Sequence, residues 1–225
     1  MMFRDMKQKG LMMVKKDVSV DSFEKSVFLL QPGRPILCTT VNPDGSNHVA
    51  PFSWINPVSF KPPRVGLALL TSPKRQVSLQ NIERTGEFIV NLPDMALAEK
   101  LVLTSYDTLE GENKFLRSGF TPLAGKQVGA VAIGECRAHL ECKVLQIIDA
   151  GDHDLLIADV LAAYYDPEAF SENLLINLDT YQPATHLQNY VTDTGQVHVF
   201  MKAGGSYVAD VPFPSGARVY REQGE

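Results

Sequence analysis

The chain has 225 residues, 44% of them apolar, with 21 Lys+Arg against 26 Asp+Glu and a formal net charge of -5. That length and apolar share allow a sizeable core, and one elaborated domain is expected. The negative balance repels a phosphate backbone, which disfavours nucleic acid or an anionic membrane surface as main partner and leaves small molecules and proteins.

In chain order, Pro35–Val41 is β-branched and apolar, Asn42-Pro43-Asp44-Gly45 supplies turn chemistry, and Ser46–Phe52 resumes; this pattern predicts a β-hairpin. Arg64–Leu70 reads as a third strand and Glu87–Leu92 as a fourth. Between them, Val77–Arg84 reads as a short helix stopped by Gly86. Asp94 is a plausible cap for a helix running through Leu103. From Glu135 to Leu145 the alternation is strict: Cys136, Ala138, Leu140, Cys142 and Val144 share one face, Arg137, His139, Glu141 and Lys143 the other. A long, half-buried antiparallel strand is expected there. Gly151 turns the chain and Leu155–Tyr165 returns beside it, so about six antiparallel strands with a few short helices suggest a small closed barrel. Residues 1–170 are read as the barrel domain with an N-terminal extension. Residues 171–225 are read as a C-terminal extension that packs on the barrel or on a dimer partner, with Asn189-Tyr190-Val191 and Val197–Phe200 as extra strands or a covering arm. The Gly- and Pro-rich stretch from Gly204 to Glu225 either wraps a neighbour or stays mobile.

Several signatures are missing or misleading. No apolar run nears the ~20 residues of a membrane span. Only Leu11-Met12-Met13-Val14 follows the charged start, too little for a secretory signal, so a cytoplasmic location is expected. Cys38, Cys136 and Cys142 form no Cys-x-x-Cys pair, hence neither a disulfide framework nor a zinc ribbon. A shared metal for Cys136, His139 and Cys142 is disfavoured because on a strand the histidine points away from both thiols. Gly-x-Gly-x-x-Gly is absent. Gly119–Lys126 resembles a P-loop faintly, but five residues separate its glycines and Gln127 stands where Ser or Thr would meet magnesium.

Two segments could carry chemistry. Ala50–Ser59, leading to Pro62-Pro63, packs Phe52, Ser53, Trp54, Ile55 and Asn56 at the end of a strand whose prolines limit ladder pairing. Such a kinked edge offers aromatic walls and backbone donors to a flat heteroaromatic ligand; a tryptophan merely filling the barrel mouth explains it equally well. Thr71–Ser78 places hydroxyls, Lys74, Arg75 and the start of a helix together, a natural phosphate receptor, although a solvated basic loop has the same composition.

Taken with Arg34-Pro35, Asn81-Ile82, Gly86–Asn91 and Gly151-Asp152-His153, these segments resemble the flavin reductase-like, FMN-binding split-barrel flavoproteins that include flavoredoxin, over about Phe28–Tyr165. The resemblance implies a mainly β fold, a six-stranded antiparallel split barrel that dimerises, with one FMN per subunit, tightly bound or exchanged as a substrate. Carried over, Phe52, Ser53, Trp54, Ile55 and Asn56 would line the ring and ribityl chain. Ser72, Lys74, Arg75, Gln76 and Ser78 would surround the phosphate, and His153 would approach the flavin or the nicotinamide as the catalytic candidate. Asn91 is read as a structural hydrogen-bonder. Where many relatives have Lys-Asp-Thr before the helix, this chain has Gln76-Val77-Ser78. The implied activity is hydride transfer from NADH or NADPH to the flavin, with free flavin, a metal complex or a redox partner protein as acceptor. A flavoredoxin-type electron carrier without its own NAD(P)H site, or a flavin-free binding barrel, are the alternatives.

Overall fold

In the computed structural model, which describes residues 15–107, 112–202 and 205–212, the chain divides into a unit ending at Gln31 and a unit starting at Pro32. The first holds one helical stretch, Val20–Leu30, broken at Ser22 and without a buried residue. The start before residue 15 and the tail beyond 212, on which leader and tail expectations bear, lie outside the described residues.

The second unit is built on strands β1 (Ile36–Val41), β2 (Asn47–Phe52), β3 (Ile55–Phe60), β4 (Pro63–Leu70), β5 (Glu87–Leu92), β6 (Pro122–Ala124), β7 (Val131–Ile133), β8 (Ala138–Asp149), β9 (His153–Tyr165), β10 (His186–Val191), β11 (Gly195–Lys202) and β12 (Gly205–Pro212). Helices α1 (Val77–Thr85), α2 (Ala98–Ser105) and α3 (Lys114–Arg117) join them. The hairpin β1–β2 pairs Ile36 with Phe52 through Val41 with Asn47. Its turn uses Gly45 at φ 83°, a left-handed conformation that glycine adopts without cost. Gly86, at φ 72°, ends α1 in the same way, and the Asp94 side chain accepts the Ala96 N–H just ahead of α2.

Seven strands form the main sheet, in the order β2-β1-β5-β8-β9-β4-β3, one more than the six expected. The additional strand is β3, the Pro-containing rim segment. It pairs with β4 but shifts register between Pro57 and Ser59, because proline offers no N–H and the ladder must skip. Ile36, Cys38, Leu67, Leu69, Phe88, Val90, Cys142 and Leu156, from five strands, meet Leu79 and Ile82 of α1 in one cluster. The sheet thus curls around a core while β2 and β3, consecutive in sequence, remain its two edges: a split barrel. On the other face, Leu37 and Val49 pack with Leu101, Val102, Phe115, Phe120 and, from the C-terminal sheet β10-β11-β12, Phe200 and Ala209. Truncating a fully buried member such as Leu79 costs about 2–5 kcal/mol.

Two expectations for the long strand need correction. The polar face of β8 is only partly solvated: Lys143 is exposed, but His139 and Glu141 are buried, Glu141 under the 126–128 loop and His139 against Asn91 and Tyr164. Cys136 and Cys142 do not share a face either. Cys136 precedes the strand and joins the α2-side cluster, and Cys142 lies in the barrel core. Burial raises both thiols far above their ordinary range.

Candidate functional site

Three segments far apart in sequence meet at the β3 edge. Ala68 N–H donates to the Trp54 carbonyl at 2.9 Å, fixing the rim against β4, and Leu70, two residues on, pairs with His153 of β9. The Trp54 and His153 rings stack, with centroids 4.6 Å apart and planes 26° apart. Trp54 is 46% exposed, so the indole does not plug the barrel; it presents aromatic surface at the rim. His153 Nδ1 lies 2.8 Å from the Asp152 carboxylate. When Nδ1 carries the proton and donates it to that carboxylate, Nε2 is left as the acceptor nitrogen.

The Thr71–Ser78 loop is tied to the same place. Thr71 and Ser72 N–H groups both donate to the Asp152 carbonyl, at 2.8 and 3.3 Å. Gln76, the residue before α1, gives the helix no side-chain cap. Its Oε1 instead accepts the Leu70 N–H at 2.9 Å, and its own N–H returns to the Leu70 carbonyl. The first-turn N–H groups of α1 therefore lack a side-chain acceptor from the capping position, which leaves the positive end of the helix open to an anion. Ser78, in that first turn, is 1% exposed and its Oγ has no hydrogen-bond partner among the described residues. An unpaired buried hydroxyl of this kind is expensive and uncommon.

The two cations of the loop are engaged. Lys74 Nζ is 3.0 Å from Asp107, in an exposed pair. Arg75 bonds Glu83 and, at 3.1 Å, Asp154. The Glu83 carboxylate is the main cause of a raised Arg75 pKa. Asp154 adjoins His153, so Arg75 also fastens the helix start to the histidine turn. Of the residues singled out in sequence, Phe52, Ser53, Trp54, Ile55 and His153 gather at the rim, and Ser72, Lys74, Gln76 and Ser78 gather around the start of α1. Asn56 is exposed on β3, opposite Gly66. Asn91 is fully buried, donating to the Leu37 and Ile89 carbonyls and accepting the Ile133 N–H, a structural role. Sequence reading quoted Asp152 only within Gly151-Asp152-His153 and gave no role to its carbonyl, which anchors the loop, and it missed Asp154 and Glu83, which claim Arg75. Asp152 and Asp154 flank His153 and could have been noticed; Glu83 lies eight residues from Arg75 and meets it because α1 folds back.

Close approach is also built in at the other side of the rim. A Cβ placed on Gly33 would come within 3.0 Å of the Ser53 Cβ. Gly33 in turn exchanges both backbone hydrogen bonds with His186, so the 33, 53 and 186 segments lie together.

Among the described residues no helix is long and apolar enough to cross a membrane. The chain is similar over 177 residues to an uncharacterised protein of Aquifex aeolicus (strain VF5), with 29% identity covering 77% of this chain and 90% of that one. Flavoredoxin of Desulfovibrio vulgaris (Miyazaki F) shares the fold at TM-score 0.65 and 18% identity, over 90% of this chain and 97% of the other. So does an NADH:FAD oxidoreductase of Streptomyces globisporus C-1027, at TM-score 0.61 and 19% identity, over 76% and 92%. The sequence profile of the flavin reductase like domain matches residues 31–185, more than half the chain, and the protein belongs to that family.

Proposed function

We propose that this protein binds FMN at the β3 rim and works as an NAD(P)H-dependent flavin reductase. The observation that supports this most is the convergence of a stacked Trp54–His153 pair with an uncapped helix start holding an unpartnered, buried Ser78 hydroxyl. One end suits an aromatic ring and the other an anion, as a phosphorylated flavin requires. In this reading Phe52, Ser53, Trp54, Ile55 and Asn56 hold the ring and ribityl chain. Ser72, Ser78 and the first-turn N–H groups of α1 hold the phosphate. Lys74 joins them by leaving Asp107, at a cost of about 1 kcal/mol or less for an exposed pair, whereas Arg75 stays with Glu83 and Asp154 and acts by placing the loop. FMN bound there supplies the redox chemistry, accepting hydride from NADH or NADPH.

The chain's own residues orient and gate. Trp54 and His153 cover one approach to the ring, and Asp152 sets the tautomer of His153 so that Nε2 faces outward as a hydrogen-bond acceptor. No side chain is required as a nucleophile. The fold relation to an NADH:FAD oxidoreductase supports the choice of a nicotinamide donor. The exposed Val58 of β3 and Ile148 of β8 lie on one face of the sheet, since Val58 and Leu155 both border Gly66 and Leu155 pairs with Ile148; this supports a homodimer, because an exposed apolar surface calls for cover. Cytoplasmic residence and a terminal acceptor among free flavins, metal complexes or a redox protein complete the reading.

Anaerobic addition of NADH or NADPH to FMN-loaded protein tests it. Bleaching of the yellow colour at catalytic rates is expected. Persistent yellow would turn the reading into an electron carrier, the second possibility that likeness to flavoredoxin favours. Protein that takes up no FMN would end both.

A further inference from the structure

The β8–β9 hairpin ends in a tip with little packing of its own. From Leu145 to Asp152 every residue is exposed, and Gly151 makes the turn at φ 103°, with open space where a Cβ would stand. His153 opens β9 directly after this tip, yet its ring stacks on Trp54 with centroids 4.6 Å apart. A ring carried on an exposed hairpin end keeps one position only when contacts from outside the hairpin offset the entropy of ordering it.

Asp154 supplies such a contact. Neighbouring residues on a strand face opposite ways, so the Asp154 carboxylate lies on the face away from the His153 ring, the face on which Leu156 and Ala158 join the barrel core. There it meets Arg75 at 3.1 Å, with its own side chain 14% exposed. Arg75 is gripped in turn: its Nε donates to one Glu83 oxygen at 3.1 Å and its Nη2 donates to the other. A two-point contact between guanidinium and carboxylate fixes direction as well as distance. Glu83 belongs to α1, whose Leu79 and Ile82 are buried in the barrel core. A line of contacts therefore runs from the core through α1, Glu83 and Arg75 to Asp154 and the start of β9. On the other flank of the histidine, the Asp152 carbonyl accepts the Thr71 and Ser72 N–H groups.

We propose that Asp154 is a positioning residue: held by Arg75 and Glu83 on the core face of β9, it keeps the His153 ring stacked on Trp54 on the opposite face. The consequence for chemistry rests on the flavin reductase reading, in which a loosened stack misplaces the aromatic wall beside the ring and slows hydride transfer more than it weakens FMN.

Trp54 is the only tryptophan in the chain, so acrylamide quenching of its fluorescence in the flavin-free protein reports the stack. His153→Ala should raise the quenching constant about twofold by baring the second face of the indole, and Asp154→Ala should raise it as far. Arg75→Gln should match them, and Arg75→Lys, which keeps the charge but not the fork, should fall between. Combining Arg75→Gln with Asp154→Ala should add nothing to either change alone, because both break one link. An unchanged constant in His153→Ala or Asp154→Ala, or a double variant whose effect is the sum of the two, would overturn the proposal. Should Asp154→Ala not fold, Asp154→Asn replaces it, with an unchanged constant again the contrary result. With FMN bound, Asp154→Ala should slow bleaching by saturating NADH or NADPH about tenfold, while FMN affinity falls by less than about fivefold. Bleaching at the wild-type rate would also overturn it. Wild-type protein that takes up no FMN, or whose FMN no nicotinamide reduces, refutes only the flavin reductase reading, since the quenching comparison still decides this one.

Discussion

Two segments of this chain turn backbone N–H groups away from the regular ladders, and they differ in whether the chain itself supplies a side-chain acceptor. At residues 126–128 the N–H groups of Lys126, Gln127 and Val128 donate to the carboxylate of Glu141, at 2.7, 2.5 and 3.2 Å. Burial alone would raise the Glu141 carboxyl, but the N–H donors of Lys126, Gln127 and Val128 outweigh it and hold the group below its ordinary range. At residues 76–78 the capping side chain is turned away and a buried hydroxyl has no partner. A nest filled by the chain's own carboxylate is a structural clasp, and a nest with unmet donors is where a ligand is to be sought.

Removing the internal anion should have the largest effect. Glu141→Ala strands the buried Val128 N–H and the partly covered N–H groups of Lys126 and Gln127 and should cost about 3–5 kcal/mol in denaturant unfolding. A loss under about 1 kcal/mol would mean that the clasp is not structural. Next comes acid. Burial holds the neighbouring His139 at about 4, below its ordinary 6.5. Between those values the unfolded chain binds a proton that the folded one refuses, so stability is full above 6.5 and declines as pH falls towards 4, by on the order of 3 kcal/mol. Thermal melts across that range should show the slope, and His139→Gln should reduce it without abolishing it, because burial also depresses His48 and His198.

On the open side the effects are smaller. Trp54→Ala removes one aromatic wall and should weaken FMN and riboflavin alike, by about 1 kcal/mol each. An unchanged bound-flavin spectrum would take Trp54 out of the site. Arg75→Gln should weaken FMN by less than about 1 kcal/mol, since its guanidinium already serves Glu83 and Asp154; a loss of tenfold or more would return Arg75 to the phosphate.

Much of this was legible in the residues. The hairpin, α1 with its glycine stop, and the β8–β9 pair follow from local turn chemistry and periodicity, which need no tertiary information. β3 was obscured because Pro57 argues against a ladder, and only an edge position with a register shift reconciles the two. The burial of His139 and Glu141 could not be read from β8 itself, since Glu141 is covered by a loop more than ten residues upstream and His139 by Asn91 and Tyr164 of the neighbouring strands. The faint P-loop likeness of Gly119–Lys126 has a physical remnant: its last residue does donate to an anion, but one that the chain carries. The rim and the Thr71–Ser78 loop were singled out by composition. That Lys74 and Arg75 would be paired was hidden, because their carboxylates arrive from α1, the α2 exit and β9.

The central claim, that an open anion receptor at the start of α1 holds a phosphorylated flavin, is tested most directly by comparing FMN with riboflavin in the wild-type chain and in Lys74→Ala/Ser78→Ala. The account predicts that the wild type prefers FMN by about tenfold or more and that the variant loses most of that preference while its riboflavin affinity holds. Equal affinity for the two flavins in the wild type, or an undiminished preference in the variant, would contradict it.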